Sequence, residues 1–388
     1  MATVTLDQMR SKLLTLDQVA TVLSTTEPLA SQQVEPNSSK VKFSMDDGWN
    51  ADLDAIAGTD EVAVMMRING TERPMTKDAA LLAAANVGLP GAYVKRTPAK
   101  LIEPHLNYWY GPALTEDKAF TALTVNDRIA AFTRPTLVPF SNMALLEAVT
   151  AGIRKQYGED TEILADYKIR NSLLATDVRL IIPEQQRTIV NGGMTDVPSG
   201  QADLWSAGVH LSNSLIGKRQ TGVETYLFRW WCTNGETSTM GDVGTWSRRT
   251  SGQDADVYVW AREAVDEILG GMEHKFAEVQ ALTDLSVAGN VADILRDIFI
   301  QHEVPVSQRG AITASLLEAE TLTMYTIMNA ITQTANDPDL SPDRADRMMR
   351  IGGQIPTATF DTIKAKVWAE GHEAEPEKPN PYLIGALN

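Results

Sequence analysis

The stretch from Leu204 to Gly235, LWSAGVHLSNSLIGKRQTGVETYLFRWWCTNG, constrains this chain more than any other. Ala207, Val209 and Leu211 alternate with Gly208, His210 and Ser212, the period of two expected of a strand with one buried face. The loop Lys218 to Gly222 turns the chain back. On the second arm Val223, Thr225, Leu227 and Trp231 take one side, and Tyr226, Phe228, Trp230 and Cys232 take the other. A strand apolar on both sides belongs inside a sheet, under helices or against another subunit. The pattern predicts a hairpin at the centre of the molecule, and the apolar second arm predicts self-association, because such a strand is unsafe as a lone edge.

Around this hairpin the sequence reads as an α+β protein with a central antiparallel sheet, an N-terminal mixed region and a C-terminal helical layer. The expected division is 1–135 mixed α/β, 136–253 β-rich, 254–370 acidic and helical, and 371–388 a flexible tail. Thr5 to Ser24 has the spacing of a docking helix pair. Glu27 to Asn50 reads as a polar loop. Glu61 to Ile68 reads as a strand, turned by Asn69-Gly70 into Thr71 to Pro74. Thr76 caps a helix from Lys77 to Val87, which Gly88 and Pro90 end, and a second helix from Pro98 is expected to kink at Pro104.

Tyr108, Trp109 and Tyr110 then form a cluster suited to a base-stacking platform or, more commonly, to a core. Ala119 to Leu137 reads as strands, and Ser141 caps a helix closed by Gly158, with Met143, Leu146, Val149 and Ile153 as its apolar stripe. Strands follow at Thr161 to Asn171 and Leu173 to Ile182, then a loop at Asn191-Gly192-Gly193. Gly235 to Gln253 reads as a basic, flexible loop. Helices are expected at Val257–Leu269, Met272–Leu282 and Val291–Gln301, from Ser307 to Thr334 with a break, and from Pro342 to Gly352.

The 388 residues carry a formal charge of −16, which opposes indiscriminate binding to nucleic acid or anionic membrane. The charge is uneven. Leu204 to Gln253 holds five cations (Lys218, Arg219, Arg229, Arg248, Arg249) against three carboxylates, while the chain from Asp254 onward holds ten against twenty-two. The pattern lacks a signal peptide and a long apolar span, and Cys232 is the lone cysteine, which together fit a reducing cytoplasm.

Catalytic signatures fail on inspection. Gly217-Lys218 lacks the rest of a phosphate loop, and GxGxxG, HExxH and GxSxG are missing. The five histidines, at 105, 210, 274, 302 and 372, lack metal-ligand spacing, so neither a metal nor a cofactor is expected. His210 is the best single candidate for site chemistry, with a hydrogen-bonded structural role favoured over it. Glu236 is a candidate base, although the adjoining Asn-Gly pair explains itself as turn chemistry.

Four blocks together resemble a phage- and plasmid-borne protein family of unknown function, labelled phage/plasmid-like protein: PFSN at 139–142, DLWSAGVHLSNSLIG at 203–217, RWWCTNG at 229–235 and NAIT at 329–332. The resemblance implies a phage or plasmid gene product acting in the host cytoplasm, and implies no known reaction.

These readings favour a non-enzymatic function. The first expectation is an oligomeric protein that binds single-stranded DNA and anneals strands in phage recombination or replication. Lys218, Arg219, Arg248 and Arg249 would meet phosphates, with Trp230 or Trp246 stacking on bases. The alternative is a structural or host-interaction protein, a virion component or an adaptor, working through its helical surfaces.

Overall fold

The computed structural model describes residues 6–26, 30–34, 41–45, 64–68, 70–110, 120–133, 137, 140–173, 175–190, 197, 202–231, 234–238, 245–248, 254–287, 291–319, 321–337, 339–340 and 342–354. Cys232, Glu236's side chain, Arg249, the 191–193 loop and the 371–388 tail lie outside what is described. The fold is α+β, with a central antiparallel sheet and C-terminal helices. No described helix is long and apolar enough to cross a membrane.

The chain forms two compact units that interleave in sequence. The first comprises Met1–Gln186, Ser206–Phe228 and Val243–Met272, the second Arg187–Trp205, Arg229–Asp242 and Glu273–Asn388.

The first unit opens with α1 (Leu6–Arg10), β1 (Leu14–Thr15) and α2 (Leu16–Ser24). The expected helix pair is present, and Met9, Leu13, Val19 and Leu23 bury its apolar stripe. Thr15 and Gln18 close a reciprocal capping box on α2. The stretch read as a polar loop contains two strands, β2 (Ala30–Val34) and β3 (Val41–Met45). In β3, Val41 and Phe43 are buried between exposed or half-exposed neighbours, a period-two signal too short to stand out.

Next come β4 (Val64–Ile68), β5 (Thr71–Pro74), α3 (Lys77–Asn86), α4 (Gly91–Arg96) and α5 (Ala99–Tyr110). Gly70 turns β4 into β5 at φ +87°, where a side chain would be strained. Thr76 accepts from the Ala79 N–H and so caps α3 as expected. Helix α5 continues through Pro104 to Tyr110. The tyrosine–tryptophan cluster divides: Tyr110 is fully buried and donates to the Ala83 carbonyl at 2.8 Å, whereas Tyr108 is 57% exposed. Tyr110 meets Phe43 and Phe120 edge to face at centroid distances of 5.0 and 4.9 Å.

β6 (Phe120–Val125) and β7 (Arg128–Thr133) form the expected hairpin, with β2 pairing along β6. Ser141 caps α6 (Asn142–Tyr157), and Gly158 ends it at φ +112°. The larger sheet then gathers β8 (Leu164–Ala165), β9 (Arg170–Asn171), β10 (Thr176–Ile189), β11 (Asp203–Asn213) and β12 (Thr221–Arg229) in the order β1-β8-β10-β11-β12, with β9 on β10. Every residue of β12 is buried, so both of its sides are covered as its composition predicts. β11 is also buried on both sides, beyond the single face read from its alternation. The loop between them starts and ends earlier than expected, at Ser214–Gln220.

Of the segment read as a flexible loop, two pieces are strands, β13 (Asn234–Ser238) and β14 (Thr245–Arg248), and β14 pairs antiparallel with β12. α7 (Asp254–Gly270) packs on α6, where Gly152 lets Val265 approach: a Cβ there would stand 2.9 Å from the valine methyl.

The second unit is helical, with α8 (Met272–Ala281), α9 (Val291–Gln301), α10 (Val306–Leu317), α11 (Met324–Gln333), a short 3₁₀ turn at Thr334–Asn336, and α12 (Pro342–Gln354). The expected break between α10 and α11 is present, and Thr323 with Thr326 forms a capping box that restarts the chain. α12 packs on α11 and on β13.

Gly208 is the tightest point of the central sheet. A Cβ at this position would lie 2.2 Å from the Leu180 carbonyl oxygen and 2.9 Å from Tyr226 Cδ1. Backbone cannot give way as a side-chain tip can, so Gly208→Ala is expected to cost about 3 kcal/mol or more, or to prevent folding. Urea unfolding of the variant checks this; a loss under about 1 kcal/mol would contradict the close approach.

Candidate functional site

Strand periodicity gives the two faces of the central sheet different chemistry. Thr176, Val178 and Leu180 of β10, Val209, Leu211 and Asn213 of β11, and Thr221 and Val223 of β12 share one parity, and Asp177, Arg179, His210, Glu224 and Tyr226 share the other. The first face carries hydrogen-bonded polar groups at one end. Asn213 Nδ2 donates to the Phe140 carbonyl and to Asn142 Oδ1, each at 2.8 Å, and Asn213 Oδ1 accepts from the Thr221 hydroxyl at 2.8 Å. Asn142 Nδ2 in turn donates to Thr176 Oγ1 at 3.0 Å. The PFSN segment is therefore stitched to the NSLIG turn, although 71 residues separate Asn142 from Asn213.

The turn itself is rigidly built. The Ser214 hydroxyl accepts from the Lys218 N–H at 3.0 Å, and Gly217 takes φ +67°. Leu215 and Ile216 bury into a cluster with Leu123, Ala130, Ala131 and Leu173. Lys218 is left exposed at the tip.

The second face holds a buried charge relay. His210, completely buried, sets Nε2 3.2 Å from Asp177 Oδ1 and Nδ1 3.0 Å from Glu224 Oε2. A neutral imidazole donates from one nitrogen only. Satisfying both contacts takes an imidazolium, or a proton on one of the carboxyls. Arg219 closes the relay, its Nη1 reaching the two Asp177 oxygens at 2.6 and 2.8 Å. Carboxylates set beside a guanidinium and an imidazole are how buried charge is tolerated.

Farther along the same face stands a second group. The Asp166 N–H donates to the Arg179 carbonyl, and Asp166 Oδ1 accepts from the Lys168 N–H at 3.1 Å. The Tyr226 hydroxyl is buried and finds no hydrogen-bond partner among the described residues. Burial first, and then the Asp166 carboxylate, raise its pKa well above that of a free phenol, with Arg179 opposing. Burial depresses the Lys168 ammonium, with Asp166 opposing and Arg179 reinforcing.

In the second unit Asp203 plays a similar part. It accepts from Arg229 Nε at 2.8 Å and from the Tyr325 hydroxyl at 2.6 Å, while Tyr325 accepts from Trp205 Nε1 at 2.9 Å. Burial raises the Tyr325 pKa well above the phenolic value, and Arg229 opposes it. The start of DLWSAG, the start of RWWC and the helix that carries NAIT thus meet in one network. Within NAIT, Thr332 packs where a Cβ on Gly352 would come within 2.2 Å of its methyl.

The expected site residues fall into distinct settings. Lys218 is exposed, and Arg219 is half-buried on Asp177. Arg248 occupies a register position opposite Thr221, just past the hairpin tip, and Trp246 is half-buried opposite Val223. Trp230 is 1% exposed, so its ring offers no face to a base in this arrangement. Arg249 lies outside the described residues. The local positive balance is smaller than a count over 204–253 suggests, because Arg229 answers Asp203 and Arg219 answers Asp177, both carboxylates upstream of that window.

Sequence reasoning singled out His210 but not Asp177 or Glu224. The one available signal is that all three sit at polar positions of alternating strands; their distances of 33 and 14 residues along the chain become contacts only once the register is known. No family model matches the chain, and neither does any curated protein or solved structure.

Removing one member of a buried charge set leaves the others uncompensated. His210→Leu is expected to destabilise the protein by about 3–5 kcal/mol, by setting Asp177 and Glu224 in a closed site without their shared donor. Arg219→Ala should cost less, since the guanidinium side chain is 28% exposed and water can replace it. Urea titrations of the two variants give the order; equal losses would mean that His210 is not the keystone.

Proposed function

We propose that the chain is a phage-type protein that binds single-stranded DNA at the tip of the central hairpin, as an oligomer suited to strand annealing in the host cytoplasm. The reading is carried by one observation: β14 runs antiparallel to β12 with Arg248 opposite Thr221, two residues after Arg219 and three after the exposed Lys218. The exposed Lys218 and the register position of Arg248 therefore lie at the same end of the sheet, and half-exposed Trp246 follows along β14. Phosphates can pair with such cations while a base meets the indole. The support of the loop by Asn213, Leu215 and Ile216 favours the reading, because a preorganised loop loses less entropy on binding. The resemblance of four sequence blocks to phage- and plasmid-borne proteins, read from the sequence, agrees with it.

The experiment is an anisotropy titration with labelled oligothymidylate and with duplex DNA at low and moderate salt. Lys218→Glu is expected to weaken strand binding roughly tenfold at low salt and to flatten its salt dependence. Unaltered affinity in that variant would remove the hairpin tip from the reading.

A second reading, an interaction protein that self-associates or binds a host protein, is favoured by α10. Its outward face carries Val306 and Leu317, 77% and 83% exposed, around Gly310 and Thr313, and the helix contains no acidic residue. Its one cation, Arg309, turns to the Val304 carbonyl and over the Phe299 ring. Light scattering of Val306→Asp with Leu317→Asp is expected to give a smaller particle than the parent; an unchanged mass would exclude α10 as the contact between copies.

A further inference from the structure

The helical hairpin α4–α5 shows an outward face that its own packing does not account for. Ile102, Leu106 and Tyr110 form the inner stripe of α5 and are buried. Leu101, Pro104, His105 and Tyr108 stand three and four apart on the other side, and all four are exposed. Leu101 is 52% exposed and Tyr108 57%, on a helix that already buries one full face. From α4, Tyr93, 37% exposed, lays its ring nearly parallel to His105, with 6.1 Å between centroids and 15° between planes. Trp109 meets Tyr108 edge on at 5.4 Å. The two helices thus place the stacked Tyr93–His105 pair and Tyr108 on one exposed surface.

The charge of this segment runs against that of the chain. Gly88 to Tyr110 contains Lys95, Arg96 and Lys100 against one carboxylate, Glu103, within a protein of net charge −16. Glu103 is already engaged: its Oε2 accepts from the Met45 N–H at 3.0 Å, on the side of β3. Lys100 is exposed in the first turn of α5. Exposed aromatic rings on the helix that carries exposed Lys100, in a segment richer in cations than the chain as a whole, match the two needs of an unpaired polynucleotide, a π-face for each base and positive charge for the backbone. A duplex keeps its bases stacked inside and has no use for the rings. An acidic copy of the same chain would gain from the cations, but would leave the ring faces without a partner of their own kind.

We propose that the α4–α5 face is a stacking platform for single-stranded nucleic acid, with Tyr93, His105 and Tyr108 receiving bases and Lys100 the phosphates between them. This deepens the strand-binding reading, from which it takes its ligand class, and it adds a contact surface built by residues remote in sequence from the central hairpin.

The test uses the full chain and labelled oligothymidylate, by anisotropy, with duplex DNA of the same length as a control. Tyr93→Ala with Tyr108→Ala is expected to weaken strand binding at least about tenfold, with little effect on any duplex binding; Tyr93→Phe with Tyr108→Phe should stay within about twofold of the parent, since stacking needs the ring and not the hydroxyl. Both tyrosines are exposed, so circular dichroism melting should show parental stability for either double variant. Unchanged binding by the alanine double variant overturns the platform, and a simultaneous loss in Lys218→Glu would then leave the hairpin reading standing. Absence of strand binding by the parent chain overturns both. A fall in particle mass on light scattering of the alanine double variant, without loss of strand binding, would assign the face to contact between copies and likewise overturn the proposal.

Discussion

Charge buried inside a sheet has to be answered locally, and that requirement ties β10, β11 and β12 together. Asp177, His210 and Glu224 come from three strands, and a strand that shifts by a single residue takes its own member out of contact with the others. A slip of β11 would also turn Val209 and Leu211 onto the charged side and His210 onto the side of Thr176 and Thr221. Hydrophobic burial alone would tolerate several registers for strands as apolar as β12. The relay makes one register far better than its neighbours, at little net gain in stability, since desolvation consumes most of the Coulomb attraction. Its work is specificity of the fold, and Arg219 carries that specificity out to the loop.

The same logic explains why the hairpin tip is ordered. Asn213 spends its amide on Phe140 and Asn142 and its carbonyl on Thr221, Ser214 holds the Lys218 N–H, and Leu215 and Ile216 are anchored in an apolar cluster. A long turn held at polar and apolar points loses little entropy when it meets a ligand. Arg219 is committed to Asp177, so Lys218 carries the outward charge of the loop. The second unit repeats the device with Asp203, which fixes Arg229, Tyr325 and, through Tyr325, Trp205.

How much of this was legible in the sequence follows from the range of each interaction. Local chemistry was readable: Thr76 and Ser141 as caps, Gly158 as a helix end, the Asn69-Gly70 turn and the two-sided burial of β12 all depend on residues a few positions apart. The α+β class and the C-terminal helices followed from the same periodicities. β2, β3, β13 and β14 were missed because short polar strands owe their existence to a partner strand, and no local pattern announces one. The relay was missed for a related reason: His210 was visible, but Asp177 and Glu224 become its partners only through register. Trp230 illustrates the opposite error, in which ring chemistry suggested a stacking surface and packing enclosed the ring. Tyr108 and Tyr110 divide between those outcomes two residues apart, because two residues on a helix rotate a side chain by more than half a turn.

The acidity of the chain gives its two basic places their meaning. At physiological ionic strength the Debye length is about 8 Å, so carboxylates on the far side of a unit contribute little at the hairpin tip or at Lys100, while those nearby dominate. Near the tip, Asp177 and Glu224 are buried and engaged with His210 and Arg219; on α5, Glu103 is engaged by the Met45 N–H. At each place these carboxylates are held in contacts within the protein while Lys218 and Lys100 are exposed. Backbone charge alone does not separate a single strand from a duplex. Exposed rings do, since only unpaired bases can stack on them, so under the proposed strand-binding reading a preference for single strands would rest on Tyr93, His105 and Tyr108 far more than on the number of cations.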